Sequence, residues 1–480
     1  MVACRPQADS GRMEAGLPLR GICLRQKGVH QNTLEEYCRV VEMQKIAKVV
    51  FFAEVWLVAA MVGATFVSAR LLPFAVLTAA LFWLARGLVY RRLSVRTPLD
   101  LPVIGLVIMA LVSVWITAWP EITHPQVLRL LAGIGLCYAL VNWVLASSQP
   151  AARLRLAADG VAIGALGLAL FAFFSVEWEG LTKLPFIPSA FYTRFPAVVA
   201  DTANPNVMAG SLVILMPVVL AWLLFGWRCL NWLERGLTLI ALAGLFPVLL
   251  LTQSRGALLA AGVALLGVMV MRWRAGWLLV ALGVVGAAGL VYWVGVTPLI
   301  NLLLASVTLG GMEGRMEVWS RAIYMLQDFA FSGVGMGAYG RVADLLYPFF
   351  RYEPGKVQHA HNLLLQIGVD LGFPGLVCWL AAWMIVSATG WQVYRQGRRV
   401  ADGMMTALGA GVVCSQAALL AHGMLDAVTW GMVRPAPLVW ALWGLAIAAS
   451  LAAQTKISPS GSPSLAPPAE DDGHVGLAES

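Results

Sequence analysis

Three short polar motifs interrupt a largely apolar sequence and carry the side chains best suited to chemistry. Arg255 lies in Thr-Gln-Ser-Arg-Gly, between two apolar runs, and Arg315 begins an Arg-x-x-x-Trp pattern that ends at Trp319. His361 follows in His-Ala-His-Asn-Leu-Leu-Leu-Gln, two residues after His359. Guanidinium groups bind anionic oxygens through charge-assisted hydrogen bonds, and an imidazole can accept a proton near neutral pH. The motifs therefore offer anion binding together with a candidate base.

Each motif also has a purely structural interpretation. Arg255 can be the arginine of a hairpin turn that reaches lipid headgroups, although positive charge on that side runs against the inward bias of basic residues. An Arg followed by a Trp four residues later, as at Arg315 and Trp319, is typical of an amphipathic helix at a membrane surface, which would also carry Arg321. Two histidines followed by Asn362 at the start of an apolar span are harder to explain as a cap alone.

The elements that position these motifs are membrane spans. The 480 residues are 60% hydrophobic and 12% charged, whereas soluble domains carry roughly 25% charged residues. A bilayer core about 30 Å thick requires about 20 mostly apolar helical residues. Twelve runs approach this length: 49–67, 71–85, 101–119, 127–145, 156–175, 207–225, 236–252, 257–271, 276–295, 362–393, 403–425 and 433–453. We therefore expect an all-α integral membrane protein with about 12 transmembrane helices.

Loop charge predicts the orientation of these spans, because cytoplasmic loops are enriched in Arg and Lys. One set of alternate loops is clearly richer, with Arg86, Arg91, Arg92, Arg96, Arg153, Arg155, Arg228, Arg235, Arg272, Arg274, Arg395, Arg398 and Arg399. Both termini are therefore expected in the cytoplasm. The three polar motifs then lie on the outer side of the membrane, near two long loops at 176–206 and 296–361. The second loop has a helical centre, since its apolar residues recur at helical spacing around Trp319.

The remaining segments divide the chain simply. Residues 1–45 lack apolar periodicity and are expected to be a disordered cytoplasmic segment, and residues 456–480 read as a disordered cytoplasmic tail. Residues 46–455 form the membrane domain. The net charge of +8 is scattered in short clusters, which argues against nucleic-acid binding. The seven cysteines include no Cys-x-x-Cys pair, so they predict neither a zinc site nor a disulfide framework.

Four stretches together resemble the O-antigen ligase-like (Wzy-C type) membrane glycosyltransferases. They are Asn-Pro-Asn-Val-Met-Ala-Gly from Asn204, Ser-Arg-Gly from Ser254, Arg-x-x-x-Trp from Arg315 with Gly-Val-Gly-Met-Gly-Ala-Tyr from Gly333, and His-Asn-x-x-Leu-Gln from His361 with Asp-Leu-Gly-Phe-Pro-Gly after it. Each is weak alone. Their order, and their placement around one long outer loop, make the combination fairly specific over residues 200–380.

The resemblance implies transfer of a glycan from undecaprenyl diphosphate to an acceptor hydroxyl outside the cytoplasmic membrane of a bacterium, by a GT-C-like bundle. It implies His361 as the base, with His359 as a local rival, and Arg255 and Arg315 as ligands of the diphosphate. We expect His359, Asn362, Arg321, Trp319 and Asn206 to contact substrate. No Asp-x-Asp motif or tight carboxylate cluster occurs in the outer loops, and the arginines could replace a metal, so we predict a metal-independent enzyme without cofactors.

Several alternatives stay open at this point. An O-antigen or polysaccharide polymerase shares the signature and differs only in its acceptor, which for a ligase would be linked to lipid or cell wall. Twelve spans also describe secondary transporters, such as those of inorganic carbon, but no matching halves are evident and the polar candidates cluster at one face. A scaffold without turnover is a third reading.

Five further polar residues have structural interpretations that compete with functional ones. Asn204 is expected to cap the sixth span. The Gly-Phe-Pro-Gly sequence from Gly372 predicts a bent or broken tenth span, and Asp370 is expected to pair with an arginine or satisfy that break. His422 and Asp426, four residues apart, favour a structural hydrogen bond. Glu54 could reach Lys48 or headgroups from the first span.

Overall fold

The computed structural model of the protein describes residues 51–176, 178, 204–296, 312–427, 429–431 and 434–457. The predicted N-terminal segment 1–45 lies outside these ranges, as do residues 458–480 of the predicted tail and most of the loop at 176–206. In the described ranges the chain is helical and has no β-strand. The helices are α1 (Phe51–Val67), α2 (Leu72–Tyr90), α3 (Asp100–Ile116), α4 (Pro120–Leu145), α5 (Pro150–Ser175), α6 (Pro205–Gly226), α7 (Trp232–Leu251), α8 (Arg255–Arg272), α9 (Gly276–Val294), α10 (Met312–Asp328), α11 (Tyr339–Leu346), α12 (Leu363–Arg399), α13 (Gly403–Gly423) and α14 (Pro437–Ile457).

Twelve of these helices correspond one to one with the predicted spans. Ten are long and apolar enough to cross a membrane, and α1 and α3 are shorter apolar helices, so the prediction of an all-α membrane protein is confirmed. The largest boundary errors fall at α4, α5 and α12. Helices α4 and α5 begin at Pro120 and Pro150 instead of at 127 and 156, and α12 ends at Arg399 instead of at 393. Proline favours the first helical turn because its missing N–H would have no intrahelical partner there. Polar residues follow each proline, so a count of apolar residues does not detect where these two helices begin.

The bundle has an inner group of helices and an exposed edge. Helices α4, α6, α13 and α14 are mostly buried, whereas α9 is exposed along almost its whole length. Helix α13 packs against α6, α8, α12 and α14, and α12 packs in turn against α3. An apolar helix that buries little of its own surface is suited to contact with lipid. The site described below lies at one end of the inner group.

One buried ion pair joins the first two helices. Arg86 Nε donates to Glu54 Oε2 at 2.9 Å, and the guanidinium carbon lies 4.4 Å from the centre of the Phe51 ring. Arg86 therefore belongs to α2 and faces the bundle, although its charge had placed it in a cytoplasmic loop. Among the described residues the partner of Glu54 is this arginine, whereas the predicted partner Lys48 lies outside them. Because each charge compensates the other, the pair is structural.

A separate buried cluster stabilises residues 312–362, which lie between α9 and α12 and are named the outer segment after the side of the membrane that loop charge predicts for them. The predicted helical centre of this segment is confirmed as α10, and a second short helix, α11, was not predicted. Tyr339 Oη on α11 donates to the backbone oxygen of Val318 on α10 at 2.8 Å. The shared core of the two helices consists of Val318, Ala322, Met325, Tyr339, Val342 and Ala343. The segment is thus an ordered unit with its own core.

Helix α12 is broken where its sequence predicts a bend. Gly372 has φ of +69° inside the helix, two residues before Pro374, a conformation that glycine adopts without steric cost. The break allows the outer segment to bond directly to α12: Phe373 N donates to Ala330 O at 2.7 Å and Val334 N to Val369 O at 2.8 Å. The kink therefore anchors the outer segment to the bundle.

Replacing Gly372 with alanine is expected to destabilise the protein by about 1–3 kcal/mol, the usual range for a strained backbone position. The added Cβ would lie 2.7–2.8 Å from backbone atoms of Ala330 and Phe331. Thermal unfolding of the purified protein in detergent measures the effect. The control is Gly160→Ala, since Gly160 lies in α5 with open space around it. Equal unfolding midpoints for the two variants would contradict the assignment of strain to Gly372.

Candidate active site

Two histidines before α12 converge on one carboxylate after α13. Asp426 Oδ1 lies 3.5 Å from His361 Nδ1 and 3.7 Å from His359 Nδ1, and the two imidazole ring centres are 4.1 Å apart. The Asp426 side chain is 6% exposed, whereas those of His359 and His361 are 19% and 22% exposed. The carboxylate of Asp426 is thus more deeply buried than the two imidazoles that lie beside it.

The backbone around His361 fixes the orientation of its ring. His361 has φ of +48°, an uncommon conformation for a residue other than glycine, and its N–H donates to His359 Nδ1 at 3.3 Å. Asn362 follows as the N-cap of α12 and accepts from the N–H groups of Leu364 and Leu365 at 3.0 and 3.1 Å. Its Nδ2 donates across to Met424 O at 3.3 Å. Asn362 therefore ties the start of α12 to the end of α13, which brings His361 to Asp426.

The buried carboxylate of Asp370 holds the segment that carries His359 and His361 in place. Asp370 Oδ1 accepts from Gly337 N at 2.9 Å and from Gln366 Nε2 at 2.8 Å, and Oδ2 accepts from Trp430 Nε1 at 2.9 Å. Gln366 Oε1 in turn accepts from Ala360 N at 2.7 Å. All three donors to Asp370 are uncharged and none is a backbone group of α12. Among the described residues the carboxylate therefore neither neutralises an arginine nor satisfies the helix break; it joins neighbouring segments of the chain.

Arg315 on α10 supplies positive charge beside this cluster. The hydroxyl of Tyr352 occupies the space where a side chain at Gly314 would lie. Burial lowers the pKa of Arg315, while the nearby Asp426 and Tyr352 oppose that shift. Arg315 Nε and Trp319 Nε1, about one turn apart on α10, are buried and make no hydrogen bond among the described residues. Unsatisfied buried donors of this kind are available to a ligand or to water.

The electrostatics of the cluster separate the two histidines. Burial is the main cause that lowers the pKa of His359 to about 4, and the neighbouring His361 adds to it, so His359 is neutral at neutral pH. Because its Nδ1 accepts a hydrogen bond, its proton resides on Nε2. Burial alone would raise the pKa of Asp426, but the interactions with His361, His359 and His422 outweigh burial and lower it. Asp426 is therefore ionised and His359 is not.

His422 lies behind the cluster in the last turn of α13. Its side chain is fully buried, and neither ring nitrogen makes a hydrogen bond among the described residues. The predicted hydrogen bond between the His422 and Asp426 side chains is therefore wrong. The bond that links these residues runs along the backbone, from Asp426 N to His422 O at 2.9 Å, and the Asp426 carboxylate faces His359 and His361 instead.

Arg255 reaches the same end of the bundle from another helix. It is the first residue of α8 and is exposed, after a turn in which Gln253 has φ of +51°. A Cβ at Gly256 would lie 3.3 Å from Leu425 Cβ and 3.8 Å from His422 Cδ2. The Ser-Arg-Gly motif thus packs against the segment that carries His422 and Asp426, as its predicted role requires.

Two other predicted site residues have partners elsewhere. Arg321 Nε donates to Pro348 O at 3.2 Å, and its guanidinium carbon lies 5.2 Å from the centre of the Phe350 ring. Asn206 lies in the first turn of α6, where its N–H donates to Asn204 Oδ1 at 2.8 Å, so the predicted cap by Asn204 is confirmed. Substrate contacts by Arg321 and Asn206, and by His359, Asn362 and Trp319, stay predictions.

The twelve apolar helices, with one polar site where several of them end, define a multi-pass membrane protein. A family model described as O-antigen ligase (Wzy_C) matches residues 239–380, from α7 to the middle of α12. No curated protein matches the chain. This part of the chain is thus O-antigen ligase-like, and the resemblance seen in the motifs is confirmed. The match includes Arg255, Arg315 and His361, whereas Asp426 lies beyond it.

Replacing Asp370 with alanine is expected to lower stability by several kcal/mol, because each buried donor left without an acceptor costs about 1–3 kcal/mol. The midpoint of thermal unfolding in detergent reports the loss. Asp344→Ala is the matched control, since the Asp344 carboxylate accepts one exposed hydrogen bond, from Gly355 N at 2.8 Å. A variant at Asp370 as stable as the variant at Asp344 would show that the buried network does not anchor the site.

Proposed function

We propose that the protein transfers a glycan from an undecaprenyl-diphosphate carrier to an acceptor hydroxyl on the outer side of a bacterial cytoplasmic membrane. The O-antigen ligase match supports a role in polysaccharide biosynthesis with lipid-linked glycan substrates. The observation that carries the proposal is the placement of His361 beside the buried carboxylate of Asp426, with the partly unsatisfied guanidinium of Arg315 nearby.

His361 is the proposed general base. Asp426 lies next to its Nδ1 and favours the tautomer with the proton on Nδ1, which leaves the Nε2 lone pair free. Nε2 accepts the proton of the acceptor hydroxyl as the hydroxyl oxygen attacks the anomeric carbon. Asp426 then stabilises the imidazolium, as a carboxylate does in other base-assisted transfers. His359 suits this step less well, because its Nδ1 already accepts the N–H of His361.

Arg255 and Arg315 are the proposed ligands of the leaving diphosphate. As the bond between the anomeric carbon and the diphosphate oxygen breaks, negative charge builds on that oxygen. Guanidinium groups stabilise such charge through paired hydrogen bonds, and the first N–H groups of α8, which starts at Arg255, add the positive end of a helix dipole. With this much fixed positive charge, the transfer is proposed to need no metal ion. Loss of one such donor typically costs roughly 3–4 kcal/mol in the transition state.

The acceptor side is proposed to lie between the histidine cluster and the outer segment. Trp319, Arg321, Asn362, Asn206 and His359 are the proposed contacts with the sugars. A ligase would present a hydroxyl linked to lipid or cell wall, and a polymerase of the same family would present one on a growing glycan. Loop charge supports placing both termini in the cytoplasm and the site outside.

Alanine at Arg255, Arg315 or His361 is expected to reduce transfer by roughly 100-fold or more, the usual cost of removing a general base or a charge-stabilising donor. The assay uses purified protein in lipid, an undecaprenyl-diphosphate oligosaccharide and candidate acceptors, with and without EDTA. Wild-type activity is expected to survive EDTA. Unchanged activity in all three variants would reject these residue assignments.

Two matched controls separate local chemistry from general damage. His124→Ala removes an exposed histidine of α4, and Arg341→Ala removes an exposed arginine of α11. Both are expected to retain wild-type transfer, and all five variants are expected to unfold near the wild-type temperature. If a well-folded wild-type sample consumed no donor with any acceptor, the transport hypothesis would take precedence, and solute uptake would be measured next.

A further inference from the structure

The His–Asp cluster has the composition and spacing of a metal site. One ligand atom from each of His359, His361 and Asp426 lies within 4.8 Å of the other two. A tetrahedral zinc ion binds such atoms at about 2.0–2.2 Å, which places neighbouring ligand atoms about 3.3–3.5 Å apart. The two distances from Asp426 Oδ1, 3.5 Å to His361 Nδ1 and 3.7 Å to His359 Nδ1, are already close to that value. Small rotations of the imidazoles would complete the geometry.

The ligand atoms are also available. His361 Nδ1 is buried and makes no hydrogen bond among the described residues. The one lone pair of His359 Nδ1 accepts a long 3.3 Å bond from His361 N, and a metal ion bound at Nδ1 would replace this bond. No cysteine motif predicted such a site, because its ligands come from two segments that are distant in sequence.

We propose that His359, His361 and Asp426 bind a zinc ion, and that this ion inhibits the transfer reaction. The inhibitory part rests on the proposed function, whereas zinc binding does not. A neutral imidazole has one lone pair and one N–H, so zinc on Nδ1 of His361 forces the proton onto Nε2. His361 then has no lone pair for the acceptor hydroxyl. Zinc also withdraws Asp426 from stabilising an imidazolium.

The ligand set selects the class of ion. Two imidazole nitrogens and one carboxylate suit Zn²⁺ and similar transition metals, whereas Mg²⁺ and Ca²⁺ prefer oxygen ligands in larger number. Three protein ligands leave a fourth position for water, as in exchangeable zinc sites. The positive charge of Arg315, which acts on His359 and Asp426, opposes a cation. Reversible binding is therefore expected, and removal of the Arg315 charge should tighten it.

Calorimetric titration of ZnCl₂ into the full chain in lipid nanodiscs, after dialysis against EDTA, tests the site without any assay of activity. One equivalent is expected to bind to the wild type. His359→Ala and Asp426→Asn are expected to weaken binding by about tenfold or more, since even residues outside the first coordination shell typically contribute 10–100-fold. His124→Ala should bind as the wild type does, and Arg315→Gln should bind more tightly. MgCl₂ in place of ZnCl₂ should give no saturable heat.

Each outcome of this titration decides the proposal. Absence of saturable binding by a folded wild type overturns it, and so does equal weakening in His124→Ala, which would indicate adventitious zinc only. In the transfer assay, micromolar ZnCl₂ is expected to inhibit reversibly, with recovery on addition of EDTA. Activity that rises with zinc would overturn the inhibitory role while leaving the binding site intact. A wild type that binds zinc but transfers nothing would reject the proposed function and not the metal site.

Discussion

The arrangement of the end of the bundle that carries the histidines depends on one buried carboxylate, that of Asp370. Its two oxygens accept from the Gly337 backbone, the Gln366 amide and the Trp430 indole, which belong to three segments of the chain. Gln366 extends the network to Ala360, between the two histidines. A carboxylate buried without such donors would be very costly, so the segments must meet where it lies. The position of the histidines is therefore a consequence of satisfying Asp370.

The site itself is assembled between two antiparallel helices. The break at Gly372 lets the outer segment bond to α12, while Asn362 bonds the start of α12 to the chain after α13. The bond made by Asn362 places His361 against Asp426, and the attachment of the outer segment to α12 places Arg315 near both. The positive φ at His361 is a local cost that the surrounding hydrogen bonds maintain, a pattern common at functional sites. Rigid packing in the bundle thus positions groups carried on irregular segments.

Sequence reasoning identified the spans and the motifs but not the pairing between them. Apolar length is a local property, so each span was recognisable, and Asn204 and the kink at Gly372 were visible as local signals of a cap and a break. Asp426 follows α13 and His361 precedes α12, so their contact joins distant parts of the chain, and no sequence periodicity predicts it. The four-residue spacing from His422 even favoured the wrong partner for Asp426, since it predicted a bond from the last turn of α13 to the residues directly after it. Helix α11 was missed because it has only eight residues, fewer than the window over which helical periodicity is recognised, although Tyr339, Val342 and Leu346 recur at helical spacing.

Charge balance explains how one cluster can suit both a base and a metal. Asp426 lies among three imidazoles and within the influence of Arg315, so its negative charge is shared by several neighbours that compete for it. A proton on His361 or a cation bound between the imidazoles would satisfy that charge in similar ways, and each excludes the other at Nδ1. Arg315 shifts this competition against the cation and towards an anionic ligand. The same arginine that would bind a diphosphate therefore helps to keep the base free, which couples substrate binding to the state of the cluster.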